Sequence, residues 1–404
     1  MWEQWGIESL YALGRMFLNP LTYWAFLLVI IAGARRVKRE RKHFGVKIHD
    51  LFSEVKGTFF FSLSFAIIIS IVSITAGFVL SIEILIVLAA VAILFSLNGS
   101  FQSLSAAYTI GTTFVLFMLL PILPDAMFVP YFSNERLMDA QFLTLAILLS
   151  ILLFAEGLLT LSANKAPTFP KLALSERGVW IGEQELKRLS FIPFLAFIPA
   201  GDDTGLAPFF PVFQFADESF YLTFVPMIIG VQYTARTQLM PELRRDIAKQ
   251  KFILAFIVLA LTIASYYYFI FALLSIIIAI IGNEWITYRN RIKHLHGKAV
   301  FAPCDEGVKV IGTIPGSKAE ELEIFPGEII TKVNDMKVTN SNEFYEALQQ
   351  SGAFFKLDVI DLNQEVRFLK SAFYDEDHHG LGLLFPEAPF QEKQKARVEK
   401  LKAL

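Results

Sequence analysis

The chain has 404 residues, 54% of them hydrophobic and 40 of them Phe, which excludes a soluble enzyme of ordinary composition and points to a multi-span membrane protein with something attached. Its net charge of -2 averages two unlike parts, an apolar body with few charges inside its runs and a C-terminal region as charged as any soluble domain, so the local pattern says more about partners than the mean does. The single cysteine, Cys304, excludes an intramolecular disulfide and a cysteine-based metal cluster.

The N-terminal stretch MWEQWGIESLYALGRMF has acidic residues before Arg15, and no small-residue cleavage site follows it. No cleavable signal peptide is expected, and the first span is retained. Residues 16–34, MFLNPLTYWAFLLVIIAGA, are long enough at ~1.5 Å per residue to cross ~30 Å of hydrocarbon. RRVKRERK follows directly, and its six positive charges place that side in the cytoplasm and the N-terminus outside.

Further spans are expected at 57–78, 80–97, 104–123 and 140–161. The loop 124–139 carries Asp125, Glu135 and Asp139 against Arg136 alone, whereas 162–190 carries Lys165, Lys171, Arg177, Lys187 and Arg188. Both fit five crossings from outside to inside. Glu83 and Glu156 are acids within these spans, the first near an outer end where it faces water, and nothing in the pattern pairs either with a cation.

Pro193, Pro199, Pro208, Pro211 and Pro226 interrupt 191–234, whose polar centre, Asp202-Asp203 and Asp217-Glu218, has no Lys or Arg. The expectation is a short membrane hairpin with an acidic external turn that returns to the basic RTQLMPELRRDIAKQK. Residues 252–282 are apolar between Lys249 and Lys251 on one flank and Arg289, Arg291 and Lys293 on the other. That bias reads as a tight hairpin broken near Ser265-Tyr266-Tyr267-Tyr268, with one tilted helix as the alternative. The sum is about nine crossings with a cytoplasmic C-terminus.

From Gly307 the periodicity changes. GVKVIGTI alternates like a strand, Pro315-Gly316 turns the chain, and Ser317 with Glu320 has capping-box spacing before a short helix. After Phe325-Pro326-Gly327, EIITKV and MKV flank Asn334-Asp335, the composition of a two-residue hairpin turn. Asn340 and Glu343 open a second helix, EFYEALQQ, and the strands FFKLDVI and EVRFLK follow.

The run GVKVIGTIPGSKAEELEIFPGEIITKVNDMKVTNSNEFYEAL resembles a PDZ domain. In that family the Gly-Leu-Gly-Phe-type loop and its strand come before such a run, whereas here Gly380-Leu381-Gly382-Leu383 and LLF come after it. The fold class implied is a polytopic α-helical membrane domain followed by a small α+β PDZ domain, circularly permuted, a partly open β-barrel with two helices. The expected divisions are 1–290 for the membrane domain, 297–388 for the PDZ domain and 389–404 for a basic tail.

The resemblance implies a peptide-binding groove whose floor is Gly380, Leu381, Gly382, Leu383 and Leu384, with successive N–H groups facing a carboxylate or an added strand. Phe344, Ala347 and Leu348 would form the opposite wall. Helical spacing explains these three equally well as core, and the Gly-Leu-Gly run also reads as a plain turn before an edge strand.

Protease chemistry is not apparent. No His-Glu-x-x-His places two zinc ligands on a helix, no Gly-x-Ser-x-Gly elbow occurs, and the six histidines lie outside the expected spans. His378-His379 reads as a solvated loop, and Asp202-Asp203 as an external turn. Two other readings stay open, a protease or protease-associated factor with its site in 191–234, and a transporter regulated by the PDZ domain with Glu156 as its polar handle.

The N-terminal QWGIESL, the basic block after the first span, the multi-span body and the lone C-terminal PDZ-like module resemble the family of cell-division topological determinants of Gram-positive rods. The resemblance implies a non-enzymatic membrane adaptor in division-site selection, enriched at septum and poles. Its implied partners are a DivIVA-like scaffold, a MinD-like ATPase with its inhibitor MinC, other divisome proteins and membrane lipid. No cofactor, metal, nucleic acid or small-molecule substrate is expected. The tail EKQKARVEKLKAL reads as a solvated helix or as an attraction for anionic lipid or an acidic partner.

Overall fold

The structure is a computed structural model that describes residues 11–119, 135–162, 167–199, 213–215, 218–352, 354–372 and 381–395. The body consists of helices α1 (Pro20–Phe44), α2 (Phe59–Ala76), α3 (Ile82–Ser96), α4 (Ala106–Leu119), α5 (Glu135–Leu161), α6 (Met240–Ala264) and α7 (Ile270–His296). Among the described residues five helices are long and apolar enough to cross a membrane, Pro20–Phe44, Phe59–Ala76, Gln141–Leu161, Met240–Ala264 and Ile270–Leu295, and α3 and α4 are shorter apolar helices. The protein is a multi-pass membrane protein.

Local chemistry sets the ends of α1. The Asn19 side chain accepts from Leu21 N–H, Pro20 occupies the first helical position, and Gly45 closes the helix in a left-handed conformation. The helix runs through the basic block, so Arg41, Lys42 and His43 lie at its C-terminal, negative end. The 252–282 region is two helices, α6 and α7, separated by Ser265–Phe269, which is where the hairpin reading breaks it. The arms are not short, because each helix continues through its basic flank to a length of 25 and 27 residues.

The 191–234 region differs from expectation. It is not a pair of membrane helices but part of a β-hairpin, β2 (Trp180–Pro199) against β4 (Glu218–Ala235), within a four-stranded sheet ordered β1-β2-β4-β3 with β1 (Phe169–Leu174) and β3 (Phe213–Phe215). Among the described residues the two crossings expected there are strands and not apolar helices. The prolines explain why a strand survives. Pro193 pairs with Pro226 across the ladder. The odd-numbered amides of β2 point away from β4, since Leu189 N–H donates to Glu54 O (3.2 Å), Leu195 N–H to Ser70 Oγ (3.0 Å) and Phe197 N–H to Phe78 O (2.9 Å). Pro193 falls in that outward series, where a missing N–H leaves nothing unsatisfied.

The hairpin lies inside the helical core. Ile192, Phe194, Ala196, Val225, Met227 and Ile229 share one apolar cluster with Phe65, Ile69, Leu104, Leu149 and Leu152. Irregular or extended backbone is tolerated at membrane depth where protein covers it and supplies its hydrogen bonds. At one end of the body, Val79 bridges Phe197. At the other end the charged residues gather: Arg36 pairs with Glu40 (2.6 Å) and Glu54 (2.8 Å), Arg39 with Glu185, Lys171 with Glu183 (3.1 Å), and Arg188 donates to Lys56 O (3.2 Å).

The C-terminal region is a separate α+β unit. Strand β5 (Val308–Lys309) lies in a five-stranded sheet with β7 (Ile329–Val333), β8 (Met336–Lys337), β9 (Phe354–Ile360) and β10 (Val366–Ala372), while β6 (Gly312–Thr313) pairs only with β11 (Leu383–Leu384). GVKVIGTI is thus not one strand; it bends between β5 and β6 and passes from one sheet to the other. Asn334 and Asp335 have φ of 48° and 66° between β7 and β8, as a two-residue turn with both central residues left-handed requires. Helix α8 (Lys318–Glu321) starts at Ser317, but that side chain makes no cap bond; Glu320 instead accepts Gly316 N–H (2.6 Å). Helix α9 (Ser341–Gln350) is capped as expected, Asn340 accepting Glu343 N–H (2.9 Å) and Glu343 accepting Thr339 N–H (2.8 Å).

This unit rests on the charged end of the hairpin. Gly182 N–H donates to Phe301 O (2.8 Å), Gln184 Nε2 to Ile311 O (2.9 Å), and Leu172, Phe301 and Ile311 form a small apolar cluster.

Candidate peptide-docking edge

Of the residues that sequence places on a groove, Gly380 lies outside the described residues, as do His378 and His379. The others come together. Leu381 to Phe385 run antiparallel to β6, with Leu383 opposite Thr313 and Leu384 opposite Gly312. Ile311 N–H donates to Leu384 O and Ile314 N–H to Gly382 O, each 2.8 Å, and Ala319 N–H donates to Leu381 O (2.9 Å). The even-numbered carbonyls therefore face β6, and the alternation of an extended strand turns the Leu383 backbone to the opposite side.

Gly382 is required by both geometry and space. Its φ is +77°, and an added Cβ would lie 2.3 Å from Ser317 Cβ. The close approach of Ser317 leaves its Oγ buried with no hydrogen-bond partner. Nothing in the sequence marks Ser317 beyond its capping position; its contact with Gly382 joins residues far apart in the chain.

The side chains assigned to the groove wall are buried in this structure. Phe344, Ala347, Leu348, Leu381 and Leu383 belong to one apolar core with Val310, Phe355 and Phe385, and Leu384 is buried beside them. Phe385, which sequence reading passed over as the end of a short run, stacks edge-on against Phe344 (5.3 Å) and Tyr345 (6.1 Å). It fixes the separation of the strand from α9. Burial, with the Glu387 carboxylate adding to it, pushes the Tyr345 hydroxyl up to about 12. Glu387 in turn accepts from Ser341 Oγ and pairs with Lys393 (2.7 Å), tying the chain after β11 to the start of α9.

The membrane body also corrects the sequence reading. Glu156 is not without a cation. Lys251 Nζ lies 2.5 Å from its Oε2, Ser105 Oγ donates to it at 2.9 Å, Ala106 N–H donates as well, and Lys251 further donates to Asn283 Oδ1. Lys251 reads in sequence as a flanking, cytoplasmic charge, but α6 begins at Met240 and carries it inside the bundle. The feature that suggested a transport site is thus a closed, internally neutral cluster. Glu83 sits in the first turn of α3, behind the Ser81 cap, where the helix dipole favours an acid. Asp202, Asp203 and Asp217 lie outside the described residues, and among the described residues no group of three or more His, Cys, Asp or Glu is placed to hold a metal.

No family model matches the chain. It is 32% identical over 385 residues to the cell division topological determinant MinJ of Bacillus subtilis, a match that covers 95% of this chain and 96% of that protein. It is 22% identical over 390 residues to probable cell division topological determinants MinJ of Lacticaseibacillus paracasei and Lacticaseibacillus casei, covering 92% of this chain and 98% of each. These names describe determinants of division topology, not enzymes.

Proposed function

The chain belongs to the MinJ family of cell-division topological determinants, and from that premise we propose that it is a non-enzymatic membrane adaptor whose C-terminal unit is a circularly permuted PDZ domain. It acts in division-site selection, joining a DivIVA-like scaffold to a MinD-like ATPase and its MinC inhibitor at septum and poles. The partners engage by adding a strand, which needs an exposed backbone edge and no catalytic group.

The observation that carries this reading is the 381–385 segment. It is held to β6 by its even-numbered carbonyls, and the Phe385 ring at its end packs against Phe344 and Tyr345 of α9. A peptide added there would bond the Leu383 backbone, with Gly380 to Gly382 supplying a nest of N–H groups for a terminal carboxylate. Phe344, Ala347, Leu348, Leu381 and Leu384 would line it once Phe385 gives way, so specificity includes the cost of moving that ring.

The gathering of Arg36, Arg39, Lys171 and Arg188 at the end of the body that carries the C-terminal unit supports a cytoplasmic unit under the positive-inside rule. Among the described residues the five long apolar helices with the shorter α3 and α4 make seven, a number compatible with an outside N-terminus and a cytoplasmic C-terminal unit. The test is fluorescence microscopy of the full chain and of a chain ending before Gly307, each in cells lacking the native copy. Septal and polar enrichment for the first and a uniform membrane signal for the second is the expected result. Uniform signal for both, with normal septum spacing, refutes the adaptor reading.

A further inference from the structure

Of the six cations of RRVKRERK, Arg36 and Arg39 turn to the buried carboxylates of Glu40, Glu54 and Glu185. Lys38 and Arg41 do not. With Ala34 and Val37 they occupy the i, i+3, i+4, i+7 positions of one face of α1, and that face lines a cavity of about 530 Å³ with Lys47, Leu51 and Gln391. Among the described residues neither Lys38 nor Arg41 has a carboxylate within ion-pair distance, and Lys47 meets Asp50 at 2.7 Å. Three cations therefore share one carboxylate over a floor of Ala34, Val37 and Leu51.

The cavity stands where the apolar run of α1 gives way to its basic turns. In the segment that follows Leu51 and at the start of α2, the apolar side chains of Phe52, Phe59 and Phe60 are 54%, 68% and 78% exposed, as lipid-facing groups are. A cationic rim above an apolar floor at this depth matches a phosphate with the start of its acyl chains, whereas an acidic peptide would leave the floor without an apolar partner. The remaining wall comes from the other end of the chain: Gln391 lines the cavity, and the Phe390 ring packs on Gly45, 3.0 Å from where a Cβ would stand.

We propose that this cavity binds the headgroup of an anionic phospholipid, and that the bound lipid holds the helix beginning near Phe390 against the end of α1. Membrane composition would then bias the segment that continues directly from the β11 edge.

The test uses the full chain in nanodiscs of phosphatidylcholine alone or with phosphatidylglycerol, read by retained lipid in native mass spectrometry and by deuterium exchange over 389–395. Phosphatidylglycerol is expected to be retained preferentially and to slow exchange there. K38Q/R41Q is expected to lower that preference at least tenfold, since each near-surface cation is worth about 1 kcal/mol toward anionic lipid. V37W, which fills the floor and keeps every charge, is expected to lower it similarly. Loss in K38Q/R41Q with full retention in V37W would mean diffuse surface attraction and overturn the site. Equal exchange in both nanodiscs, or equal protection by millimolar inorganic phosphate in phosphatidylcholine alone, would overturn it as well.

Discussion

Glu156 on α5 and Lys251 on α6 meet as an ion pair whose side chains are 0% and 1% exposed, with Nζ and Oε2 2.5 Å apart. Ser105, Ala106 N–H and Asn283 satisfy the remaining polar atoms, so the pair is a closed cluster joining α4, α5, α6 and α7 at the depth of the bundle.

Removing one member is expected to cost more than removing both. Lys251→Met leaves a buried, uncompensated carboxylate and should lower stability by about 3–5 kcal/mol, whereas the Glu156→Gln/Lys251→Met double variant should recover most of that loss. Thermal unfolding in detergent, followed by intrinsic fluorescence, measures both. Equal loss in the single and double variants would mean that the cluster does not act as a pair.

The outward amides of β2 give a second prediction. Ser70→Ala removes the acceptor of Leu195 N–H and leaves a partly buried donor unmade, a cost of about 1 kcal/mol. The same unfolding measurement checks it. A neutral effect would mean that the hairpin does not lie against α2 as described.

The β11 edge depends on Gly382. Gly382→Ala must adopt φ near +77° and place a Cβ against Ser317, which should release the segment from β6. Faster deuterium exchange at Ile311, Ile314 and Ala319, the three amides that donate to it, is the expected outcome, with exchange in β9 and β10 unchanged.

Two carboxylates of the C-terminal unit give opposite pH dependences. Hydrogen bonds from Thr339 and Asn340 hold Glu343 below its ordinary 4.5, so its contribution is present above that value and is lost as pH falls through the folded one. Burial raises Glu328 above 4.5, against the opposing Phe325 N–H and Arg367. Its contribution is present below 4.5 and is lost as pH rises through the folded value. Thermal unfolding against pH should show Glu343→Gln less stable than the parent at neutral pH and converging on it as pH falls through the folded value of Glu343, while Glu328→Gln is at least as stable as the parent at neutral pH.

Much of the candidate edge was legible because turns and caps are local. Asn334-Asp335, the Asn340 and Glu343 cap and the break at Ser265–Phe269 each follow from a few adjacent residues. Phe385 was missed because its partners Phe344 and Tyr345 stand some forty positions upstream, and no spacing rule links them.

By itself the sequence determined that this is a membrane protein with a mixed C-terminal unit, since hydropathy, charge bias and turn residues act over a few residues at a time. Only the tertiary structure decided that the described residues 191–199 and 218–234 pair as strands and that Lys251 faces inward. A proline breaks a ladder only where its N–H is needed, and at Pro193 the outward edge needs none. A lysine after a basic stretch is cytoplasmic only if the helix starts beyond it, and α6 starts eleven residues earlier, at Met240, which brings Glu156 within reach.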